Sequence, residues 1–273
     1  MSKRVSAVSP AFVLHQWDWS ETSLILDVFT RDQGRIAVLA KGAKRPYSQL
    51  RSVLLPFQRL GITLSRPRAH ADAQDSADIL TLRSAEYQGG VPLLPSSLLL
   101  TGYYLNELLL KLLARQDPHE RLFDAYVDTL AALAGLGADA SPGEEEPALR
   151  AFELLLLRET GVLPDLAHNT LTQTLLRPER GYQIRADVGL VPAERPDDPS
   201  ALTGSQCLAI QAALDSGQPA WLCQACMPAL TALRSQLRQL LDHQLGSQPL
   251  RSRQTQRALR RLLEPPIARP APA

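Results

Sequence analysis

A run of basic residues near the start of the chain has the composition of an anion-binding surface. Within residues 31–51 a single acid, Asp32, accompanies six cations, which are Arg31, Arg35, Lys41, Lys44, Arg45 and Arg51. Concentrated positive charge of this kind attracts polyanions, and nucleic acid is the commonest of them. These residues therefore indicate binding of phosphates through charge.

The densest part of this run is a short loop. Lys41, Lys44 and Arg45 follow a predicted strand, with Gly42 between them and Pro46 after them. Glycine lets the backbone approach a phosphate closely, and each cation can replace a counterion condensed on the strand. We expect this loop to contact DNA. Arg31, Arg35 and Arg51 are candidates for the same surface, with a solvated surface charge as the alternative.

Exposed rings are the second feature expected of a surface that binds single strands, because bases stack on them. Trp17, Trp19 and Tyr47 are the candidates for stacking, and packing between domains is the alternative. Trp17 and Trp19 lie two residues apart, so a strand would place them on one side. For three further rings we expect burial in the core of a barrel: Phe12, Phe29 and Phe57.

The elements that must hold these residues are short strands. Five strand-like runs precede residue 90, at residues 11–17, 23–30, 34–41, 57–65 and 79–87. The connection at residues 31–34 reads as a hairpin turn in which Gly34 takes a positive φ. Five short strands suit a small closed barrel of the oligonucleotide-binding (OB) type, although an SH3-like barrel gives nearly the same pattern.

The rest of the chain has helical periodicity. The pattern predicts an α+β protein: an OB-fold domain at residues 1–88, a mainly helical domain at 89–263 and a disordered tail at 264–273. Predicted helices cover residues 97–113, 205–214, 227–245 and 255–263, one begins with Asp117 as cap and Pro118 in its first turn, and one runs from Glu144 to Gly161. Residues 163–199 lack periodicity and are interpreted as an irregular insert.

Charge is distributed unevenly along the chain, although the formal net charge is only +1. Residues 1–83 contain twelve Lys and Arg and seven Asp and Glu, residues 84–245 eleven and twenty, and residues 246–273 six and one. The net charges are therefore +5, −9 and +5. Two basic ends around an acidic middle favour a nucleic-acid partner.

The basic C-terminal end is a candidate for a secondary DNA contact. The residues concerned are Arg251, Arg253 and Arg257. A solvated helix, or pairing of these arginines with the acidic middle, explains them equally well.

No pattern in the sequence indicates catalysis, a metal or a cofactor. Cys223 and Cys226 have the spacing of metal ligands, but Cys207 and His243 do not complete a known zinc pattern. Buried thiols explain them better. The five histidines are scattered, and we find neither a phosphate-binding glycine loop nor an acidic cluster suited to two-metal chemistry. We expect a protein that is not an enzyme and has no small-molecule substrate.

The chain also lacks the signals of export and membrane insertion. Its N-terminus leads into a strand pattern without an apolar signal core, and its most apolar window, residues 98–113, contains Asn106, Glu107 and Lys111. Three cysteines are an odd number that suits a reducing compartment. We therefore expect a cytoplasmic protein without a membrane partner.

An ordered set of short strings resembles the RecO family of bacterial recombination mediators. In the N-terminal half these are FVLH (residues 12–15), SETSLILDVFT (20–30), AKGAKRP (40–46) and LPF (55–57). In the helical half they are GYYLNELL (102–109), DAY (124–126), residues 152–161 and GSQPLRSR (246–253). No single string is diagnostic, but their order over nearly the whole chain is specific. Some members carry a four-cysteine zinc site, whereas residues 163–199 here contain no cysteine.

The resemblance implies a function that composition and spacing could not supply. It implies binding of single- and double-stranded DNA, annealing of complementary strands and partnership with RecR. It also implies contact with the C-terminal tail of the single-stranded-DNA-binding protein SSB, so that RecA is loaded during repair of gaps and breaks, with the protein on the nucleoid. Two alternatives remain: a general single-strand or RNA-binding protein without mediator activity, and a DNA-processing hydrolase with an unrecognised site.

Overall fold

The N-terminal half of the chain is a closed five-stranded barrel. The structure is a computed structural model that describes residues 8–65, 79–90, 92–195, 198–246 and 249–263. The strands are β1 (Ser9–Asp18), β2 (Leu24–Thr30), β3 (Gly34–Ala40), β4 (Leu60–Ser65) and β5 (Ile79–Tyr87). Their order is β1-β2-β3-β5-β4, with β1 pairing back onto β4 and β3 parallel to β5. This five-stranded closure is the OB-fold alternative and not the SH3-like one.

Alternation along the strands sorts residues between the two faces of the barrel wall. Leu26, Val28 and Val38 point inward and form the barrel core with Leu60 and Ile62. The predicted hairpin turn at Gly34 is confirmed, with φ of +67°. A Cβ atom at Gly34 would also collide with the carbonyl of Asp117, because the chain after the first long helix runs alongside the start of β3. Both the turn and this close approach require glycine.

The three phenylalanines predicted for the barrel core are buried elsewhere. Phe12, Phe29 and Phe57 belong to the core that the barrel shares with the helices. Phe12 and Phe29 occupy the outward positions of β1 and β2, where their rings lie 5.5 Å and 5.4 Å from the ring of Phe123. The prediction of burial was correct, but its location was wrong because helices cover the outer wall of the barrel at this point.

The second half of the described chain is mainly helical. A short helix, α1 (Gln49–Val53), lies between β3 and β4. The later helices are α2 (Leu99–Leu112), α3 (Glu120–Gly135), α4 (Glu146–Glu159), α5 (Gly204–Ser216), α6 (Pro219–Cys226), α7 (Leu230–Leu245) and α8 (Arg251–Leu263). The apolar face of α3 packs in the core, where Leu122, Tyr126, Leu130 and Leu133 are fully buried.

Several predicted boundaries differ from the structure. Helix α3 begins at Glu120 with His119 as its N-cap, so Asp117 is not the cap. Helix α8 begins at Arg251, four residues earlier than predicted, and α6 was not predicted at all. Its eight residues are too few to show a helical period clearly. The predicted tail, residues 264–273, lies outside the described residues.

A small three-stranded sheet has two of its strands in the insert predicted to be irregular and the third just after it. Its strands are β6 (Gly181–Arg185), β7 (Gly189–Pro192) and β8 (Leu202–Thr203), in the order β7-β6-β8. Gln236 of α7 holds this sheet, because its side chain accepts from the N–H of Ile184 and donates to the carbonyl of Tyr182. Strands of two to five residues give too short an alternation to be recognised in the sequence.

Polar groups are paired across the junction between the barrel and the helices. The register of β1 shifts between Val13 and His15, and this bulge leaves the carbonyl of Leu14 outside the strand pairing. Buried Asn106 of α2 donates to that carbonyl at 3.1 Å and accepts from the hydroxyl of Tyr126 at 2.5 Å. These bonds satisfy groups that would otherwise be unpaired in an apolar core.

None of the helices in the described chain is long and apolar enough to cross a membrane.

We expect Asn106→Leu to lower the free energy of unfolding by about 2–4 kcal/mol, because it leaves the Leu14 carbonyl and the Tyr126 hydroxyl without partners. Tyr126→Phe should cost roughly half as much, since only the amide oxygen of Asn106 then loses its partner. Urea unfolding followed by circular dichroism measures both. Equal stability of Asn106→Leu and the unchanged protein would contradict this role of the junction.

Candidate nucleic-acid interface

The predicted basic loop follows β3 and packs on the hairpin between β1 and β2. Gly42 adopts φ of +71°, and the N–H of Arg45 donates to the carbonyl of Gly42 at 3.2 Å, which closes a turn. The N–H of Lys44 donates to the carbonyl of Thr22 in the hairpin at 2.9 Å. The loop is therefore fixed by its backbone and by buried Ala43, and the side chains of Lys41 and Arg45 are left to face outward.

Lys44 has a structural role as well as a charge. Its ammonium lies 3.1 Å from a carboxylate oxygen of Asp18 and donates to the carbonyl of Ser20 at 3.2 Å. Half-buried Lys44 therefore joins the loop to the hairpin, and Asp18 offsets part of its charge. A phosphate at this position would meet a weaker field than the formal charge suggests.

Three other cations at this end of the barrel project into solvent. Lys41, Arg45 and Arg51 are exposed, and within the described ranges no ion pair involves their side chains. Arg51 lies on α1, which faces the loop across a cleft. Because their charges are not neutralised by the protein, these three side chains are the strongest candidates for phosphate contact.

The candidate stacking rings lie near this end and are exposed to different degrees. The exposed fractions are 42% for Trp17, 63% for Trp19 and 100% for Tyr47. Trp17 packs edge-on against His15, with ring centroids 4.5 Å apart. Trp19 follows the last residue of β1 and lies in the hairpin turn, so strand alternation does not place it beside Trp17. Trp19 and Tyr47 flank Lys44 from the hairpin and the loop.

Arg31 and Arg35 lie at the other end of the barrel. Strand β3 has seven residues, so its ends are roughly 20 Å apart, and Arg35 stands at the start while Lys41 follows the end. Arg31 pairs with Glu120 at 2.9 Å and Asp124 at 3.0 Å, and the hydrogen bonds that it donates to Asp124 raise the pKa of the guanidinium. The expectation that these two arginines share a barrel end with the loop is corrected by this geometry.

Arg35 is enclosed at the domain junction. Its guanidinium contacts the carbonyl of Leu110 and lies 3.8 Å from buried Asp27, which also faces Arg115 at 3.4 Å. Burial lowers the pKa of Arg35 and raises the pKa of Asp27. Arg35 therefore fixes the barrel to α2, and we do not include it or Arg31 in the proposed DNA surface.

The basic C-terminal residues lie on α8, which is anchored by a carboxylate of another helix. Glu107 of α2 accepts from the N–H groups of Arg251 and Ser252 at 2.8 Å and 2.9 Å. Partial burial opposes ionisation of Glu107, but the hydrogen bonds from Ser252 and Arg251 lower its pKa. Glu107 thus acts as the cap of α8 and holds the helix against α2.

A second cationic site, the arginine cleft, lies between α2, α4, α7 and α8. It has a volume of about 240 Å³, and its lining residues include Leu100, Leu149, Arg150, Arg234, Arg238, Arg253 and Arg257. Arg253 donates to the hydroxyl of Tyr104 and to Asp242, each at 3.0 Å, whereas Arg257 is exposed. Of the three arginines predicted as a secondary DNA contact, Arg253 is therefore engaged within the protein, whereas Arg251 and Arg257 are exposed.

The floor of the arginine cleft is a buried charged cluster. Arg150 pairs with fully buried Glu153 at 2.8 Å, and Glu153 accepts from the hydroxyl of Tyr104 at 2.5 Å. Burial raises the pKa values of Glu153 and Tyr104. The Nε atom of Arg150 is buried and makes no hydrogen bond. A cleft with an unsatisfied donor at its floor is suited to an anionic ligand.

The cysteines and acids do not form a metal site in the part of the chain that the structure describes. No group of three or more His, Cys, Asp or Glu residues there could hold a metal ion. Cys207 and Cys226 are fully buried, and burial raises the pKa of each thiol to about 12. These thiols therefore pack as apolar side chains.

The barrel and its basic end define an OB-fold protein joined to a helical domain, and comparison with known proteins identifies the family. Residues 3–83 match the family model described as "Recombination protein O N terminal", and residues 97–254 match "Recombination protein O C terminal". Both halves therefore match in the expected order. The chain belongs to the RecO family of DNA repair proteins.

Curated relatives match over nearly the full length. The chain is 47% identical over 246 residues to "DNA repair protein RecO" of Polaromonas sp. (strain JS666 / ATCC BAA-500), which covers 90% of this chain and 93% of the relative. Proteins of the same name from Verminephrobacter eiseniae (strain EF01-2) and Variovorax paradoxus (strain S110) are 47% and 48% identical, each match covering 93% of this chain and 96% of the relative. A role in DNA repair follows.

We expect the double variant Lys41→Glu/Arg45→Glu to bind single-stranded DNA at least about tenfold more weakly at low salt, because two uncompensated cations become anions. If some four phosphates are contacted, log affinity of the unchanged protein should fall with log salt at a slope of roughly −3. Fluorescence anisotropy of a labelled oligonucleotide measures both quantities.

The matched control is Arg177→Glu/Arg180→Glu, which makes the same change in net charge at exposed positions of the helical half. It should leave affinity nearly unchanged. An equal loss of affinity in both double variants would show that only the overall charge matters, and a flat response to salt would remove the electrostatic model.

Proposed function

We propose that this protein is a recombination mediator. It binds single- and double-stranded DNA through the basic end of the barrel, anneals complementary strands and, with RecR, helps to load RecA on DNA coated with SSB. The observation that supports the DNA-binding part is the backbone-fixed loop with its exposed cations, Lys41 and Arg45, opposite Arg51 on α1. The mediator part is supported by membership of the RecO family.

Annealing needs a surface that neutralises phosphates without reading bases. Flexible Lys and Arg side chains on a rigid loop provide this, because cations that contact phosphates carry no sequence information. Exposed Trp19 and Tyr47 add stacking, which tolerates every base. Lowered repulsion between two bound strands then permits them to pair.

The proposed partner at the second site is the C-terminal tail of SSB, which is acidic with an apolar end. The arginine cleft has the exposed side chains of Arg234, Arg238 and Arg257 at its mouth and Leu100 and Leu149 within it. Two acids, Glu145 and Glu146, also belong to its lining. Of the mouth arginines, Arg234 is already paired with Glu146. Arg238 and Arg257 are exposed, although Arg238 lies 3.6 Å from Asp242 of its own helix, and they are the residues best placed to meet the acidic part of a peptide. The buried Nε of Arg150 is a donor for a carboxylate deeper in the cleft.

The proposal also covers the cellular location of the protein and its lack of catalytic activity. We place the protein in the cytoplasm, on the nucleoid during repair, as a binding protein that is not an enzyme and needs no cofactor. A general single-strand binder without mediator activity is the alternative. It would use the same loop but would need no site for an acidic peptide, so the arginine cleft favours the mediator.

Annealing of complementary strands already coated with cognate SSB tests the mediator function. We expect the protein to increase the annealing rate by at least about tenfold, and Lys41→Glu/Arg45→Glu to abolish the increase because phosphate binding is lost. Fluorescence transfer between labelled strands measures the rate, with and without RecR. Binding to bare strands without acceleration in either case would establish the general binder instead.

The double variant Arg238→Glu/Arg257→Glu tests the arginine cleft. We expect it to bind a labelled SSB C-terminal peptide about tenfold more weakly, because charges at the rim of a site repel the acidic peptide. It should bind bare single-stranded DNA as the unchanged protein does. Arg177→Glu/Arg180→Glu is again the matched control.

Anisotropy titrations with the peptide and with the oligonucleotide separate the two sites. Unchanged binding of the peptide would show that the arginine cleft is not the site for the SSB tail. Loss of DNA affinity with unchanged binding of the peptide would assign the cleft to a secondary DNA contact.

A further inference from the structure

The barrel has an open edge beside the basic loop. Among the described strands, β1 pairs with β4 only through Ser9, Pro10 and Ala11. Val13 still forms an isolated bridge with Pro56, whereas the last part of β1, from His15 to Asp18, pairs with β2 alone. Helix α1 lies opposite this unpaired edge, and the space between them is a cleft of about 430 Å³, here called the edge cleft.

The edge cleft combines apolar walls with a charged rim. Its lining residues are Gln16, Asp18, Leu24, Ala43, Lys44, Leu50, Arg51, Leu54 and Leu55. Leucines from β2, α1 and the segment after α1 form the walls. Lys44 and Arg51 stand on the two sides, on the loop and on α1. A ligand that fits must therefore bring an apolar body and a negative charge close together.

A nucleotide has this combination, because a base has flat apolar faces and polar edges and is attached to a phosphate. Gln16 offers an amide and Asp18 a carboxylate oxygen, groups that hydrogen-bond to base edges. Leucine walls accept the face of any base, which suits a protein that does not read sequence. An acidic peptide fits less well, because Asp18 at the rim would repel its carboxylates while it could accept from the amino group of a base.

We propose that the edge cleft receives one unpaired nucleobase of the bound strand, while Arg51 and Lys44 contact the adjacent phosphates. This inference rests on the proposed DNA-binding function. It adds an explanation of how the protein distinguishes a single strand from a duplex, which the proposed function does not give. A paired base would have to leave its partner and its stack to enter the cleft, and that step costs free energy. Single strands enter without this cost, so they bind more tightly than duplex of equal charge.

The test compares two oligonucleotides of equal length and charge, one of thymidine and one built wholly from abasic residues. We expect the unchanged protein to prefer the thymidine strand by about tenfold, because base contacts add to the phosphate contacts. Leu55→Gln should lower this preference about threefold and leave affinity for the abasic strand unchanged, because it removes apolar surface without changing charge. Leu55 is 43% exposed, so the fold should tolerate the substitution.

The control Leu171→Gln makes the same chemical change at an exposed leucine of the helical half. It should retain the full preference, and urea unfolding should show the same midpoint for both leucine variants and the unchanged protein, because surface substitutions change stability little. Lys41→Glu/Arg45→Glu should weaken both oligonucleotides equally and keep their ratio. The ratio therefore reports the edge cleft, whereas absolute affinity reports the proposed function.

The outcomes are distinguishable. Equal affinity of the unchanged protein for the two strands, or a preference that Leu55→Gln does not change, would overturn the inference and leave DNA binding intact. Failure of both strands to bind would overturn the proposed function itself. Displacement of the thymidine strand by an acidic peptide ending in phenylalanine, lost in Leu55→Gln and retained in Arg238→Glu/Arg257→Glu, would show a peptide site in the edge cleft and overturn the base assignment.

Discussion

Burial of the outer barrel wall under the helices is the constraint on which the rest of the structure depends. Phe12 and Phe29 on the outer faces of β1 and β2 pack against Phe123 and Tyr126 of α3. Aromatic pairs of this kind stabilise the fold by more than their buried area alone, and their burial removes a large apolar area from water. Because this part of the wall is covered, the end that carries the loop after β3 is the one left for a ligand.

The same constraint decides what each arginine does. Arg31 pairs with Glu120 and Asp124 of α3, and Arg35 is enclosed between Asp27 of β2 and the carbonyl of Leu110 in α2. Arg45 and Arg51 lie at the end of the barrel that carries the loop and face solvent. Residues 84–245 carry a net charge of −9, twenty acids against eleven bases, so cations that contact this part of the chain find partners. The acidic middle therefore neutralises the cations that it contacts. The positive potential that remains comes from the cations it does not contact, and it is concentrated at the loop.

The parts that could be predicted from the sequence are those set by local pattern. Alternation located the five strands, and glycine located the turn at Gly34, but alternation did not show that Phe29 faces the helices instead of the barrel core. The parts that could not be predicted depend on contacts between distant residues. Nothing near Arg35 in the sequence shows that Asp27 and α2 enclose it, and α3 starts later than Asp117 because that residue packs against Gly34. The lining residues of the arginine cleft come from four helices that are far apart in the sequence, so no local pattern could predict the cleft.

The two cationic sites differ in a way that matches two kinds of anion. At the loop, Lys41 and Arg45 are exposed side chains that can follow a phosphate chain of any sequence. In the arginine cleft, Arg150 is held by Glu153 and Arg253 by Tyr104 and Asp242, so their planar groups are oriented before a ligand arrives. Fixed guanidinium groups suit a carboxylate in one position, whereas mobile cations suit a diffuse polyanion. Because the loop and the cleft lie on different halves of the chain, a strand bound on the barrel would leave the cleft open, which is what the proposed mediator function needs on coated DNA.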